Sequence, residues 1–155
     1  HKMLYKLKGP VPEGEHLVPF GQAVVKRPGT DVTLIGVGYQ VVNCLRAAEA
    51  LAKDGISAEV VDPRTLAPLD TARLAESVRK TGRCVVVEEG HLRSGVGSEI
   101  AAAIQQEAFD YLDAPIGRVA ALDAPIPFEP RLEDFVLPNP DRIAKAVKRT
   151  LGVPA

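Results

Sequence analysis

The stretch VVVEEGHLRSGVGSEI, residues 85–100, begins as an apolar β-strand and passes through a glycine-rich loop into the first turn of a helix. Its valines form the continuous apolar run that is typical of a strand covered on both faces of a sheet. A strand, a short loop and a helix in this order make half of a β-α-β unit. The stretch therefore predicts an α/β fold.

The same alternation of strand and helix continues on the N-terminal side of this stretch. An apolar strand over 32–37 precedes a helix over 39–54, and Gly55 stands where a helix C-terminus favours a left-handed residue. A further strand follows, and then a helix that begins at the capping residue Asp70 and ends at Gly82. The predicted inner faces of these helices comprise Val42, Leu45, Ala48 and Ala52 in the first, and Leu74 and Val78 in the second.

The alternation also continues on the C-terminal side. A helix over about 98–112 leads to a strand over 117–122, and Asn139 and Pro140 supply the cap and first-turn proline of a last helix. This last helix carries basic side chains on its predicted outer face, namely Arg142, Lys145, Lys148 and Arg149.

Strands that alternate with helices imply right-handed crossovers and a largely parallel sheet with helices on both faces. The exception is the first strand, within QAVVKR (22–27), which reaches the next strand through the Pro28-Gly29 turn. This turn is too short for a crossover, so the first strand must run antiparallel to the others. We therefore predict an α/β fold, a three-layer α/β/α sandwich with a mostly parallel five-stranded sheet whose first strand is antiparallel.

Composition limits the domain count and the partners. A chain of 155 residues, 46% of them hydrophobic, suits one packed core. Residues 1–21 are rich in proline and glycine, so we divide the chain into a linker over 1–21 and a folded domain over 22–155. The formal charge of −1 gives no electrostatic attraction to nucleic acid. No segment reaches the roughly 18 apolar residues of a membrane span, so we expect neither nucleic acid nor a membrane as a partner.

The cysteines and histidines give no sign of a metal site. Cys44 and Cys84 lie in apolar runs, which is typical of reduced, buried thiols in a cytosol-like compartment. The histidines are scattered at His1, His16 and His91, and no cysteine or aspartate cluster has ligand spacing. We therefore predict no metal site.

Two loops follow strands at the sheet edge where α/β proteins bind ligands. The first, GVGYQ (36–40), has two glycines but lacks the third glycine of a dinucleotide fingerprint, so it is a weak candidate. The second is the loop within 85–100. Its candidate anion-binding residues are His91, Arg93, Gly95 and Gly97, the glycines through backbone amides at a helix N-terminus.

A structural interpretation of the same loop stands beside the anion-binding one. The glycines permit a tight bend and close packing of the helix on the sheet, while Glu88 or Glu89 fixes the loop with a hydrogen bond. Adjacent residues on a strand point to opposite faces, so these glutamates cannot form the facing carboxylate pair of an acid catalyst. Catalysis by a pair of carboxylates is therefore disfavoured here.

The stretch FDYLDAP (109–115) places Asp110 and Asp113 at the end of a helix. Carboxylates at a helix C-terminus oppose the local dipole, which costs a little free energy unless a basic group meets them. This conflict is a hint of a partner surface, and ordinary solvation is the alternative.

Five blocks of the chain, in order, closely resemble the C-terminal domain of the β subunit of thiamine-diphosphate-dependent 2-oxo acid dehydrogenases. This family includes the pyruvate, branched-chain and acetoin enzymes and is kin to transketolase. The blocks are VDPRTLAPLD (61–70), SVRKTGRCVVVEEG (77–90), SGVGSEIAAAI (94–104), FDYLDAP (109–115) and DAPIPFEPRLEDFVLPNPDRI (123–143).

The resemblance implies one part of an α2β2 enzyme that oxidatively decarboxylates pyruvate or a related 2-oxo acid and transfers the acyl group to lipoyl groups. In that family thiamine diphosphate and Mg²⁺ lie between the α subunit and the N-terminal half of the β subunit, which also holds the activating glutamate. The resemblance therefore implies no catalytic and no cofactor-binding residue in this domain, and residues 1–21 become the interdomain linker.

The resemblance also implies partners: the α subunit, a second β subunit, and the peripheral subunit-binding domain of the dihydrolipoyl acyltransferase. In related pyruvate enzymes the last aspartate of the FDYLDAP block contacts basic residues of that binding domain. This position is Asp113, and Asp110 is its acidic neighbour. His91 and Arg93 depart from the family's residues in a loop that faces neighbouring domains.

Other interpretations stay open. One is an independent α/β domain that binds a small ligand or an anion through the glycine loops. Another is the β-subunit domain of an acetoin dehydrogenase, because VDPRTLAPLD favours that type whereas VEEG with SGVGSEI resembles the pyruvate type. The resemblance implies the bacterial cytoplasm, or the mitochondrial matrix in a eukaryote.

Overall fold

The computed structural model describes residues 1–154, which form five strands, five α-helices and two short 3-10 helices. The main elements are β1 (Val24–Arg27), β2 (Val32–Gly36), α1 (Gln40–Lys53), β3 (Ala58–Asp62), α2 (Thr71–Thr81), β4 (Cys84–His91), α3 (Val96–Ala108), β5 (Gly117–Ala121), α4 (Pro130–Val136) and α5 (Pro140–Leu151). The 3-10 helices span Lys2–Lys6 and Phe109–Tyr111. The helix predicted over about 98–112 is thus divided between α3 and the second of these.

The strands form one sheet in the order β1-β3-β2-β4-β5. Strand β1 runs antiparallel to β3, with Val25 opposite Val61, and the other three pairs are parallel. Helices α1 and α5 cover one face of the sheet, and α2 and α3 cover the other. The predicted three-layer α/β/α sandwich with an antiparallel first strand is confirmed.

Strand β4 supplies side chains to both halves of the core. Val85 and Val87 pack with α1 and α5, whereas Cys84 and Val86 pack with α2 and α3. None of the four exposes more than 1% of its surface. Because burying one valine stabilises a fold by about 1.5–3 kcal/mol, this strand holds the two helical layers together.

The predicted ends of three helices are confirmed. Oδ1 of Asp70 accepts a hydrogen bond from the N–H of Arg73 at 3.1 Å, and Asn139 caps α5 in the same way. Gly82 ends α2 with a φ of +68°, and Gly55 follows α1 with a φ of +77°. Both values lie in the left-handed region that glycine adopts without steric cost.

The predicted inner face of α1 is wrong by about one position along the helix. The buried apolar residues are Val41, Cys44, Ala47, Ala48 and Leu51. By contrast, Ala52 is exposed, and Val42 and Leu45 are only half-buried. Helix α1 contacts both the sheet and α5. Because apolar residues lie on both sides of the true face, the sequence pattern alone did not select the correct one.

The prediction that Arg142 lies on the solvated outer face of α5 is also wrong. Its guanidinium donates hydrogen bonds to the carbonyl oxygens of Val136 at 2.9 Å, Leu137 at 2.8 Å and Ala120 at 2.7 Å. The first two carbonyls lie at the end of α4 and the third lies in β5, so Arg142 joins these two elements to α5. Lys145 and Arg149 are exposed, as predicted.

Both cysteines should resist thiol reagents in the folded protein. Cys44 and Cys84 are fully buried, and burial raises the pKa of the Cys84 thiol to about 12 and raises the pKa of the Cys44 thiol as well. Since the thiolate is the reactive form, we expect negligible labelling by dithiobis(nitrobenzoate) at about pH 8, and labelling of both residues after denaturation. Ala102→Cys, on the exposed side of α3, is the positive control. Rapid labelling of the unmodified folded chain would contradict the prediction.

Candidate functional site

The candidate site lies at the carboxyl ends of β2 and β4. Strand β2 leads through α1 to β3 on one side of the sheet, and β4 leads through α3 to β5 on the other. The chain thus leaves two neighbouring strands in opposite directions. A crevice opens at such a switch point, and ligands of open α/β sheets bind there.

Glu88 fixes the way in which β4 passes into α3. The residue is only 3% exposed, and its Oε1 accepts a hydrogen bond from the N–H of Gly97 at 2.8 Å. A Cβ atom added at Gly95 or at Gly97 would lie 2.5 Å from the same oxygen. Gly97 therefore requires glycine because the carboxylate approaches the backbone closely, and Gly95 requires it because the carboxylate and the carbonyl oxygen of His91 both do. This geometry matches the structural interpretation of the loop.

Arg118 on β5 is the cationic partner of Glu88. Its Nη2 lies 3.4 Å from Oε1 of Glu88 and donates a shorter hydrogen bond, 2.6 Å, to the carbonyl oxygen of Leu92. A buried carboxylate needs such a partner because an uncompensated charge in the interior is costly. Arg118 therefore ties the glycine-rich loop to the edge strand.

Glu89 points to the other face of the sheet. Its Oε1 accepts a hydrogen bond from Nε2 of Gln40 at 3.0 Å, and its Oε2 lies 2.5 Å from Nε2 of His1. The chain of hydrogen bonds continues from Asn43 to Oε1 of Gln40, at 3.1 Å. Glu88 and Glu89 thus have separate partners, as the strand period predicts, and do not face each other.

The candidate anion-binding residues do not share one environment. Nδ1 of His91 lies 3.1 Å from the carbonyl oxygen of Leu122, and the exposed Arg93 pairs with Asp123 at 3.1 Å. The N–H of Gly97 already binds Glu88. Anion binding through His91, Arg93, Gly95 and Gly97 stays a prediction, and the carboxylate of Glu88 already holds one of the amides it needs.

Asp113 meets a basic group within its own chain. Its Oδ2 lies 3.2 Å from Nη1 of Arg83, and its N–H donates to the carbonyl oxygen of Gly82 at 2.8 Å. The aspartate side chain nevertheless remains 57% exposed. The surface formed by Asp110, Tyr111 and Asp113, which Arg79 and Arg83 border, is called the acidic corner below. The ion pair with Arg83 orients the carboxylate of Asp113, and both aspartates are exposed.

Sequence reasoning missed a buried carboxylate on β3. Glu59 is 1% exposed, pairs with Lys80 and accepts hydrogen bonds from Ser77 Oγ and, at 3.3 Å, from the N–H of Gly29. These contacts join the turn between β1 and β2 to α2. The glutamate interrupts the otherwise apolar strand SAEVVD, which was the available signal. Its interactions are those of a structural ion pair.

The described part of the chain, residues 1–154, offers little further chemistry. No group of three or more histidine, cysteine, aspartate or glutamate side chains within it is placed to hold a metal ion. No helix within the same residues is long and apolar enough to cross a membrane.

Comparisons with known proteins identify relatives along nearly the whole chain. A family model described as "Transketolase, C-terminal domain" matches residues 21–143. The β subunit of acetoin:2,6-dichlorophenolindophenol oxidoreductase from Bacillus subtilis is 46% identical over 154 residues, which cover 99% of this chain and 45% of that subunit. The β subunit of the mitochondrial pyruvate dehydrogenase E1 component from Dictyostelium discoideum is 48% identical over 135 residues, 87% of this chain and 38% of that one.

A solved structure shares the fold. It is a split-gene transketolase in an inactive β4 tetramer, and it matches with a TM-score of 0.78 at 29% identity. The match covers 95% of this chain and 47% of that chain. The chain therefore spans less than half the length of each of these proteins.

Removing the charge of Glu88 should destabilise the fold. We expect Glu88→Gln to lower the free energy of unfolding by about 1–3 kcal/mol, because a buried charge-assisted hydrogen bond is weakened and Arg118 loses its counterion. Urea denaturation monitored by circular dichroism measures the change. Glu99→Gln, in the exposed first turn of α3, is the matched control and should cost less than about 1 kcal/mol. Equal effects of the two substitutions would contradict the role of Glu88.

Proposed function

The chain belongs to the family of transketolase C-terminal domains, and on this premise we propose that it is the assembly and docking domain of a β subunit. The β subunit is that of a thiamine-diphosphate-dependent 2-oxo acid dehydrogenase of the pyruvate or acetoin type. The observation that carries the proposal is the identity of 46% to a β subunit along 99% of the chain.

The chemistry of the intact enzyme is the oxidative decarboxylation of pyruvate or a related substrate, followed by acyl transfer to lipoyl groups. Thiamine diphosphate and Mg²⁺ supply that chemistry and bind outside this domain. The contacts of the polar residues in this domain support the view that the cofactor binds elsewhere. The carboxylate of Glu88 already binds the N–H of Gly97 and the guanidinium of Arg118. The thiols of Cys44 and Cys84 are buried, and burial raises the pKa of each, so both stay protonated.

The acidic corner suits a basic docking partner. Arg83 holds Asp113 in place, Asp110 adds a second exposed carboxylate, and the neighbouring Phe109 exposes 65% of its apolar side chain. Exposed carboxylates and an exposed aromatic ring on one short segment are typical of a contact that combines charge steering with apolar burial. The partner that we propose is the peripheral subunit-binding domain of the dihydrolipoyl acyltransferase.

The remaining partners and the location follow from the same proposal. The α subunit and a second β subunit complete an α2β2 enzyme, and residues 1–21 form the linker between the two β domains. The exposure of this segment supports the assignment, since Tyr5, Val11 and Phe20 each expose more than four-fifths of their surface. A dehydrogenase of this type works in the bacterial cytoplasm or the mitochondrial matrix.

The choice between pyruvate and acetoin rests on residues outside this chain. Relatives of both kinds match it at almost the same identity, 46% for the acetoin-type subunit and 48% for the pyruvate-type subunit. A domain that docks and assembles is common to both kinds of enzyme, which accounts for the nearly equal identities.

Asp113 should control docking. We expect Asp113→Asn to weaken binding of the isolated peripheral subunit-binding domain by about tenfold in calorimetric titrations, and added salt to weaken the unmodified complex. Asp54→Asn is the matched control, because Asp54 forms a similar ion pair with Lys148 and is almost equally exposed. Full affinity of Asp113→Asn, or an equal loss in both variants, would refute docking at the acidic corner.

The cofactor should leave the isolated domain unaffected. A ligand at one hundred times its dissociation constant adds about 2.7 kcal/mol to the free energy of unfolding, which raises the melting temperature by several degrees. We expect no such shift when thiamine diphosphate and Mg²⁺ are added to the 155-residue chain. A saturable shift of the melting temperature, or turnover of any 2-oxo acid by the chain alone, would contradict the proposal that the cofactor binds outside this domain.

A further inference from the structure

Asp113, the centre of the proposed docking surface, already has a cation at its side. Nη1 of Arg83 lies 3.2 Å from Oδ2 of Asp113, while the aspartate side chain stays 57% exposed. A basic partner that arrives from solvent therefore meets a carboxylate whose charge is partly compensated. Arg83 is close enough to act on the carboxylate and on the arriving cation alike. Its net effect on docking depends on what else holds Asp113.

The position of Asp113 does not depend on Arg83 alone. The N–H of Asp113 donates a hydrogen bond to the carbonyl oxygen of Gly82 at 2.8 Å. Oδ2 lies close against the same glycine, since a Cβ atom added to Gly82 would be 2.5 Å from it. Gly82 is itself fixed as the left-handed end of α2, with a φ of +68°. The end of α2 therefore holds Asp113 through contacts that do not involve Arg83.

Arg83 places a positive charge where the cation of a partner has to approach. A cation in contact with the carboxylate of Asp113 lies on the order of 6 Å from the guanidinium of Arg83, because each contact is about 3 Å long. At that distance two like charges at a protein surface weaken binding about threefold to tenfold, according to how strongly water screens them. An aspartate side chain has few torsions to restrict, so the orientation that Arg83 provides contributes less than this repulsion removes.

The other arginine at the border of the acidic corner has different partners. Arg79 donates a hydrogen bond to the carbonyl oxygen of Glu107 at 2.5 Å, and it lies 3.8 Å from the carboxylate of the same residue. Its guanidinium also lies over the ring of Tyr111, 5.7 Å from the centroid. The side chains of Arg79 and Arg83 are similarly exposed, at 39% and 31%. Arg79 is therefore a matched comparison that carries the same charge without contacting Asp113.

We propose that Arg83 limits the affinity of the acidic corner for its basic partner, because it competes with the cation of that partner for Asp113. This inference rests on the docking role proposed above and concerns the strength and specificity of that docking. A lysine or arginine of the partner has to displace Arg83 or bind against its repulsion. Only a partner whose other contacts compensate this repulsion binds well, which makes Arg83 a specificity-determining residue.

The experiment removes the charge of Arg83 and measures docking. The peripheral subunit-binding domain is titrated by calorimetry into the 155-residue chain and into its Arg83→Met and Arg79→Met variants. We expect Arg83→Met to lower the dissociation constant about threefold to tenfold at low ionic strength, and by less at physiological ionic strength, since salt screens the repulsion that was removed. Arg79→Met should change the dissociation constant by about twofold or less, because Arg79 does not contact the carboxylate that the partner binds.

A conservative variant and a folding control complete the test. Arg83→Lys keeps the positive charge and should leave the dissociation constant within about twofold of that of the unmodified chain. The melting temperature of each variant verifies that it is folded. An unchanged or raised dissociation constant for Arg83→Met would overturn the proposal, and so would equal tightening by Arg79→Met. Binding that Asp113→Asn leaves unchanged has a separate meaning, because it refutes the docking site itself and this inference with it.

Discussion

The carboxylate of Glu88 against the backbone of Gly97 is the contact on which this structure depends. It sets the angle at which the central strand β4 passes into α3, and it does so at a distance that only glycine allows. Arg118 compensates the buried charge from the edge strand. Because β4 also supplies Val85 and Val87 to one core and Val86 to the other, its exit direction determines how both helical layers close.

The orientation of Glu88 in this contact also gives the adjacent residue, Glu89, a different role. With Glu88 turned towards α3, the strand period directs Glu89 to the opposite face, where Gln40 and His1 bind it. One glutamate therefore builds the fold, and the other forms the wall of the crevice between β2 and β4. This separation explains why a stretch rich in charged residues has no facing carboxylate pair.

Local patterns predicted what depends on local chemistry. The apolar run of β4, the cap at Asp70 and the left-handed Gly82 each reflect an interaction within a few residues, and each was predictable. The buried face of α1 was not predictable in this way, since packing against both the sheet and α5 selects it. Likewise, Arg142 resembled a solvated residue because its carbonyl partners, such as Ala120, lie on other elements.

At the candidate site, too, local sequence patterns predicted orientations but not long-range partners. The opposite directions of Glu88 and Glu89 follow from the period of a strand, but the pairing of Glu89 with His1 joins residues 88 positions apart, and no periodicity indicates it. In Asp113 the sequence showed a carboxylate with an unfavourable position at a helix end, and the structure supplies Arg83 as its partner. A local conflict thus marked a place where tertiary contacts matter, without naming the residue that resolves it.

The two surfaces lie at opposite ends of β4. The acidic corner surrounds Gly82 and Arg83, just before the strand begins, whereas the crevice begins at Glu89, near its end. Arg83 and Glu89 are six residue steps apart along this strand, which separates them by roughly 20 Å at about 3.3 Å per residue. At this distance exposed charges are largely screened at physiological ionic strength, so the two surfaces act independently. On the docking role proposed above, a partner at the acidic corner would therefore leave the contact between His1 and Glu89 undisturbed.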